Sequence, residues 1–315
     1  MRTRLALCLA AFVLCLSVPA LADEADNFTC RARLTSDSGP MLDGWINGQI
    51  HEALVRANQR KPNCADCPIR ELQKAIGTSR PERLTFVPHA RFEQWVRAQP
   101  GINRCHLRFG ETIYGSRAYN LPWLLPFNRR IIFVADSIRL YDHVIGIDKL
   151  SHFIREGLEH WQNIRHGRNL EDLIQKEFGS PGWQLGWNEH GLKGMSLTGV
   201  VSYADIAAGY SGFRFWTDLL SIDGPGSFVA YDAASGRFVQ NRPVTLGAYV
   251  NDTWDEGVNY SVFDPALDRE VAAALERRSM TRDVANCRAL ASLPDAQLYV
   301  NPRCLDADVG RTAGR

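Results

Sequence analysis

The apolar positions of this chain recur mainly at a helical spacing. Between Leu42 and Ala57 they lie three or four residues apart, which predicts an amphipathic helix over residues 41–58. The same pattern predicts four other helices, over 68–77, 89–98, 202–220 and 266–278. A further helix, over 148–166, is the most informative segment because its polar face carries chemically active side chains.

Shorter segments have the character of strands. Residues 228–231 and 237–240 flank a turn at 234–236, which predicts a β-hairpin, and another strand is predicted at 131–134. We therefore expect a mainly α fold, with a helical core and a small β-hairpin appendage, stabilised by disulfides.

We expect a single domain over 23–305, followed by a frayed tail over 306–315. Its parts are a cysteine-containing N-terminal region, a set of core helices, and a hairpin with a C-terminal region, over 23–105, 106–222 and 223–305.

One face of the 148–166 helix carries carboxylates and imidazoles. At 100° per residue, five polar side chains fall within about 120° of one another, namely Asp148, His152, Glu156, Glu159 and His160. Such groups bind metals and move protons. His152 and Glu156 are four residues apart, as are Glu156 and His160, so each pair stacks at a separation of about 6 Å. A solvated helix face supported by these pairs is the alternative interpretation.

Two later segments could complete a site with this face. Glu189 lies in a polar cluster and could supply a carboxylate from a second element, although a surface loop is the alternative. Ser202 and Asp205 have the spacing of a capping box that opens a helix. Small residues follow, and Gly212 would let that helix approach another backbone closely at Gly157, which would bring Asp205 near the His152 face.

Residues 1–22 are typical of a secretory signal, with Arg2 and Arg4 before an apolar stretch and a cleavage sequence that ends at Ala22. The full chain has 36 basic and 35 acidic residues, and loss of the two arginines leaves 34 against 35. This balance gives no support to nucleic-acid binding. No later stretch has about 18 uninterrupted apolar residues, so we expect no transmembrane segment after cleavage. The expected location is the periplasm of a Gram-negative bacterium, or secretion.

Six cysteines remain after the signal, and an even number in an exported chain predicts disulfides. They are Cys30, Cys64, Cys67, Cys105, Cys287 and Cys304. Proximity favours a Cys287–Cys304 pair, with the other four tying the N-terminal region. Cys64 and Cys67 have the spacing of a redox pair, but the loop-like residues before them favour a structural cystine or a cross-paired loop.

The order of the polar residues resembles a pattern in VanZ-like and YfiM-like bacterial envelope proteins. The resemblance is carried by Asp148-Lys149-x-x-His152-Phe153, then Glu189, then Gly199-x-x-Ser202-x-x-Asp205-x-x-Ala208-x-x-x-Gly212. It covers residues 147–218, under a quarter of the chain, and this chain lacks the membrane helices of the VanZ-like proteins. The resemblance implies a cell-envelope setting and a shared polar centre of Asp148, His152, Glu189 and Asp205.

The sequence supports two classes of function. The first is a hydrolase that acts on an envelope component, such as a glycan or a lipid-linked sugar, through a His/carboxylate centre. Its candidate catalytic residues are His152, Asp148, Glu189, Asp205 and Glu156. Its candidate metal ligands are His152, Glu189 and Asp205, with a divalent metal as the candidate cofactor. The second is a non-catalytic envelope binding or scaffold protein, in which the same cluster is a structural hydrogen-bond network.

Overall fold

The computed structural model describes most of the chain after the predicted signal. The described residues are 23–60, 64, 66–77, 79–81, 88–108, 110–115, 132–179, 188–190, 194–195, 198–224 and 226–305. The predicted signal over 1–22 and the predicted tail over 306–315 lie outside them.

Helices form about half of the described structure. In chain order they are α1 Asn27–Cys30, α2 Gly39–Asn58, α3 Cys67–Ile76, α4 Arg91–Ala98, α5 Lys149–Ser151, a π-helical turn His152–Glu156, α6 Gly157–Arg165, α7 Leu170–Phe178, α8 Tyr203–Leu220, α9 Pro265–Arg277, α10 Val284–Ala289 and α11 Pro302–Leu305. Because α5, the π turn and α6 are continuous, they form the helix predicted over 148–166. Within the described residues, no helix combines the length and the apolar content that a membrane crossing requires.

The strands are short and belong to several small sheets. They are β1 Asp23–Ala25, β2 Ser79–Pro81, β3 Pro88–Ala90, β4 Arg104–Cys105, β5 Phe133–Ala135, β6 Ser137–Leu140, β7 His143–Gly146, β8 Val200–Val201, β9 Val229–Asp232, β10 Arg237–Gln240 and β11 Val262–Phe263. β4, β6 and β7 form an antiparallel sheet, and β2–β3, β8–β11 and β9–β10 are antiparallel pairs. β1 pairs in parallel with β5, which sets Glu24 opposite Val134.

The main core lies where α8 crosses the helix formed by α5, the π turn and α6. The buried ring of Phe153 lies 5.0 Å from the ring of Phe215 and 5.2 Å from that of Trp254, between centroids. Nε1 of the buried Trp216 donates a hydrogen bond of 2.8 Å to the carbonyl of Ile154 in the π turn. Large aromatic side chains dominate the energetics of such a core, so this packing fixes the crossing that positions the polar face.

The apolar spacing located most of the helices correctly. Those predicted over 41–58, 68–77, 89–98, 202–220 and 266–278 are confirmed as α2, α3, α4, α8 and α9, with ends that agree within two residues. The predicted hairpin is confirmed as β9 and β10, and the strand predicted at 131–134 is observed as β5.

The prediction of a mainly α chain is confirmed only in part, because the chain also contains small sheets that were not expected. The β6–β7 hairpin is the clearest case. Its two-residue turn is formed by Tyr141 and Asp142, whose φ angles are 47° and 71°. Positive φ angles at both positions are typical of hairpin turns, but the sequence lacks the glycine or asparagine that usually marks them.

Three cysteine pairs lie at disulfide distance. The Cα atoms are 5.6 Å apart in Cys30–Cys105, 5.3 Å in Cys64–Cys67 and 5.0 Å in Cys287–Cys304. The predicted Cys287–Cys304 pair is confirmed, as is the pairing of the other four cysteines within the N-terminal region. Cys64 and Cys67 pair with each other, so the cross-paired loop is excluded.

Candidate functional site

The candidate site is built on a close crossing of two helices. A methyl group added at Gly157 would overlap the backbone of Gly212, and one added at Gly212 would overlap the carbonyl of Phe153. Only glycine allows the two backbones to approach so closely. This contact is the one that the small residues of α8 predict, and it places Asp205 in the first turn of α8 beside His152.

At the N-terminus of α8, capping does not use the Asp205 carboxylate, so this group contacts other residues of the site. Ser202 caps the helix, because its side-chain oxygen accepts a hydrogen bond of 3.2 Å from the Asp205 amide. In a capping box, the acid three residues along accepts from the amide of the capping residue. Here the Ser202 amide donates to Oε2 of Glu189 at 3.1 Å. The Asp205 carboxylate is directed instead toward Lys149 and His152.

Lys149 lies at the centre of the site and was missed by the sequence analysis. Its side chain is fully buried, and its Nζ lies 2.6 Å from Asp148 Oδ2, 2.5 Å from Asp205 Oδ1 and 2.5 Å from Glu256 Oε1. Burial by itself would lower the pKa of this ammonium. The surrounding carboxylates outweigh burial and raise the pKa well above its ordinary value, so Lys149 stays charged.

Two further glutamates belong to the same buried centre. Burial raises the pKa of Glu256 to about 7, against the opposing effect of Lys149. The pKa of Glu24 is raised well above its ordinary value, first by burial and then by the charge of Glu256. We refer to Glu24, Asp148, Lys149, Asp205 and Glu256 as the Lys149 cluster. Its carboxyl groups outnumber its single ammonium, so the cluster holds protons or attracts another cation.

His152 links the Lys149 cluster to the surface. Its Nε2 lies 3.1 Å from Asp205 Oδ2, and its Nδ1 lies 2.8 Å from Glu156 Oε2. The His152 and Glu156 side chains are 13% and 14% exposed, whereas that of Asp205 is 1% exposed. A ring between two carboxylates is held in one orientation, and its two nitrogens place the carboxylates of Glu156 and Asp205 in one series of close polar contacts.

A small pocket opens on the outer side of this series. It has a volume of about 170 Å³, and Glu156, Glu159, His160, Lys176 and Glu177 are among the side chains that line it. Nε2 of His160 lies 3.2 Å from Oε2 of Glu177. Burial lowers the pKa of His160, but the hydrogen bond and the charge of Glu177 more than compensate, so the pKa is raised. The pocket therefore presents several carboxylates beside the basic side chains of His160 and Lys176.

The structure brings together most of the residues that the sequence selected. Asp148, His152, Glu156 and Asp205 are joined through direct contacts or through Lys149. Glu189 is fully buried, and it holds the N-terminus of α8 through Ser202. Its predicted role as a ligand or as an acid–base group stays a prediction.

Three members of the Lys149 cluster escaped the sequence analysis. Lys149 was visible as part of the Asp148-Lys149 string, but lysine is almost never buried unless it is paired. Glu24 lies in β1, and Glu256 lies in the irregular segment after Trp254, where no periodic pattern marks a buried position. Their roles follow from tertiary packing alone.

The comparisons of this chain with protein-family models, with curated proteins and with solved structures found no match. The resemblance to VanZ-like and YfiM-like proteins therefore stays a prediction.

Proposed function

We propose that this chain is a hydrolase that acts on a component of the cell envelope, with its chemistry centred on Glu156, His152 and Asp205. In this proposal, Glu156 lies on the pocket wall and exchanges a proton with the substrate or with a water molecule. His152 orients the Glu156 carboxylate through Nδ1 and contacts Asp205 through Nε2. Lys149 keeps Asp205 ionised by balancing its charge.

The observation that carries the proposal is the series of close polar contacts from Glu156 through His152 to Asp205. It connects a pocket that is open to solvent with a buried charge cluster, and histidine and glutamate are both common general acid–base groups. The polar walls and the small volume of the pocket suit a small polar group, such as one sugar unit of a glycan or of a lipid-linked sugar.

The envelope setting is also part of the proposal. Three cysteine pairs at disulfide distance are compatible with an extracytoplasmic location, where disulfides persist. The predicted signal over 1–22 and the resemblance to envelope proteins support the same setting. Neither of them names a substrate beyond the class of envelope components.

The test is to incubate the purified chain separately with peptidoglycan and with a lipid-linked sugar, and to measure released products by mass spectrometry. General acid–base groups contribute about 10²–10⁴-fold to rate, so we expect Glu156→Gln to lower the rate at least about 100-fold. Glu52→Gln is the matched control, because Glu52 is 59% exposed on α2. Equal rates for the two variants, or no product from the unmodified chain, would contradict the proposal.

A non-catalytic envelope scaffold is the second candidate function. The observation that favours it is the complete burial of Lys149 among three carboxylates, because such a network can hold helices in place without reacting. This function predicts that His152→Ala and Asp205→Ala each lower the free energy of unfolding by a few kcal/mol. For His152→Ala, which leaves the contacts of Lys149 in place, a functional site predicts little loss, or even a gain, of stability.

A further inference from the structure

We propose that Asp148, His152 and Asp205 bind one divalent transition-metal ion, of the class represented by Zn²⁺ and Mn²⁺. One carboxylate oxygen of each aspartate and one ring nitrogen of His152 lie within 4.8 Å of one another. This set differs from the ligands predicted from sequence, which included Glu189 in place of Asp148. The proposal concerns ion binding only, so it stands whether or not the chain is a hydrolase.

The first argument comes from the spacing of the ligand atoms. Zinc binds nitrogen and carboxylate oxygen at about 2.0–2.2 Å, so two ligands of a tetrahedral ion lie about 3.4 Å apart. His152 Nε2 and Asp205 Oδ2 are already 3.1 Å apart. Oδ1 of Asp148 is buried and accepts no hydrogen bond from any described residue. A carboxylate oxygen buried in this way is available as a third ligand.

The second argument comes from the partner of the other ring nitrogen. Nδ1 of His152 lies 2.8 Å from Glu156 Oε2, and a proton on Nδ1 makes this contact a hydrogen bond. The lone pair of Nε2 then faces the Asp205 carboxylate, and two such acceptors repel each other unless a proton or a cation lies between them. Histidines that bind metals commonly donate their second N–H to a carboxylate in this way.

The third argument comes from charge and from the position of Lys149. Nζ contacts Oδ1 of Asp205, so the second oxygen of this carboxylate, Oδ2, remains on the side of His152. When all three are ionised, the carboxylates that contact Lys149 carry two more negative charges than the ammonium neutralises. One divalent ion cancels this excess. The imidazole ligand favours Zn²⁺ over Mg²⁺ or Ca²⁺, and the two carboxylate ligands also suit Mn²⁺.

Calorimetric titration tests the proposal without any substrate. The chain is purified without a histidine tag, dialysed against a chelator, and titrated separately with ZnCl₂ and with MnCl₂. We expect a single site with a stoichiometry of one for at least one of the two ions, lost in Asp148→Asn. Glu156→Gln should weaken binding by about 10–100-fold, because it changes the partner that orients the histidine.

Two control variants distinguish binding at this site from binding at surface histidines, and loss of binding from loss of folding. His106 is 65% exposed and lies 2.7 Å from Asp136, so His106→Gln reports on ions that bind at surface histidines. Glu156 is partly exposed, so Glu156→Gln remains informative if Asp148→Asn fails to fold. The proposal is overturned if the unmodified chain binds neither ion, or if Glu156→Gln retains full affinity while His106→Gln loses it.

Discussion

Replacement of Lys149 by methionine tests the energetic balance of the Lys149 cluster. Methionine has a similar length and no charge, so Lys149→Met removes the ammonium from three carboxylates at 2.5–2.6 Å and leaves the cavity filled. Breaking a buried ion pair by removal of one partner costs about 3–5 kcal/mol, because the remaining charge stays desolvated. We expect a loss of this size in the free energy of unfolding at pH 7.5.

The loss should also depend on pH in a defined direction. Without the ammonium, the buried carboxylates of the folded variant take up protons that the folded unmodified chain does not hold. For each extra proton that the folded variant binds, its free energy of unfolding rises by about 1.4 kcal/mol, relative to the unmodified chain, for every pH unit of acidification. The difference in stability between the two chains should therefore shrink from pH 7.5 to pH 5.5.

Urea denaturation followed by far-UV circular dichroism, with disulfides intact, measures both effects. Lys74→Met is the matched control, because the Lys74 side chain is 60% exposed and its Nζ lies 3.4 Å from Glu71. Glu71 is buried but keeps its contacts with Arg56 and Arg60, so loss of the exposed Lys74 ammonium should cost little stability at any pH. A loss below about 1 kcal/mol for Lys149→Met, or a loss that does not shrink on acidification, would refute the reasoning.

Three other predictions follow from single features. The pKa of Glu256 is raised from 4.5 to about 7 in the folded chain. The protonated Glu256 side chain therefore contributes fully to stability below pH 4.5, and this contribution is lost as the pH rises through 7. Urea titrations should assign on the order of 3 kcal/mol to this effect, and Glu256→Gln should remove it. Gly212→Ala should lower the free energy of unfolding by at least about 2 kcal/mol, because the added methyl group overlaps the crossing helix. Gly48 has open space around it, so Gly48→Ala should raise the free energy of unfolding by up to about 1 kcal/mol. Thermal melts measure both effects. Replacement of both Cys287 and Cys304 by alanine should cost about 3 kcal/mol, and an unchanged melting temperature would contradict this.

Local sequence patterns were sufficient for the helices and for part of the site. The apolar spacing of α2 and α8 reflects one buried face on each helix, and this property can be read without knowledge of the partner. Gly157 and Gly212 were recognisable for a similar reason, because small residues at a helical spacing permit close approach whatever lies opposite. These features brought Asp205 to His152 in the prediction and in the structure.

The remaining features depend on contacts between distant segments. A complete capping box would direct the Asp205 carboxylate to the Ser202 amide, but Glu189 accepts from that amide instead. This substitution of one acid for another cannot be read from spacing. Lysine is a residue type that usually lies at the surface. Lys149 is buried because its ammonium is surrounded by three acids, which lie in three different segments of the chain.

The partners of Lys149 lie far apart along the chain, and this separation affects the order of folding. Lys149 and Glu256 are 107 residues apart, and the bond from the Ala25 amide to Glu256 spans 231 residues. Closing such long loops costs chain entropy before any contact forms, and chains rich in distant contacts fold slowly. During synthesis, Lys149 and Asp205 must stay hydrated until Glu256 has emerged. The Lys149 cluster is therefore completed late, because its contacts join the earliest and the later parts of the described chain.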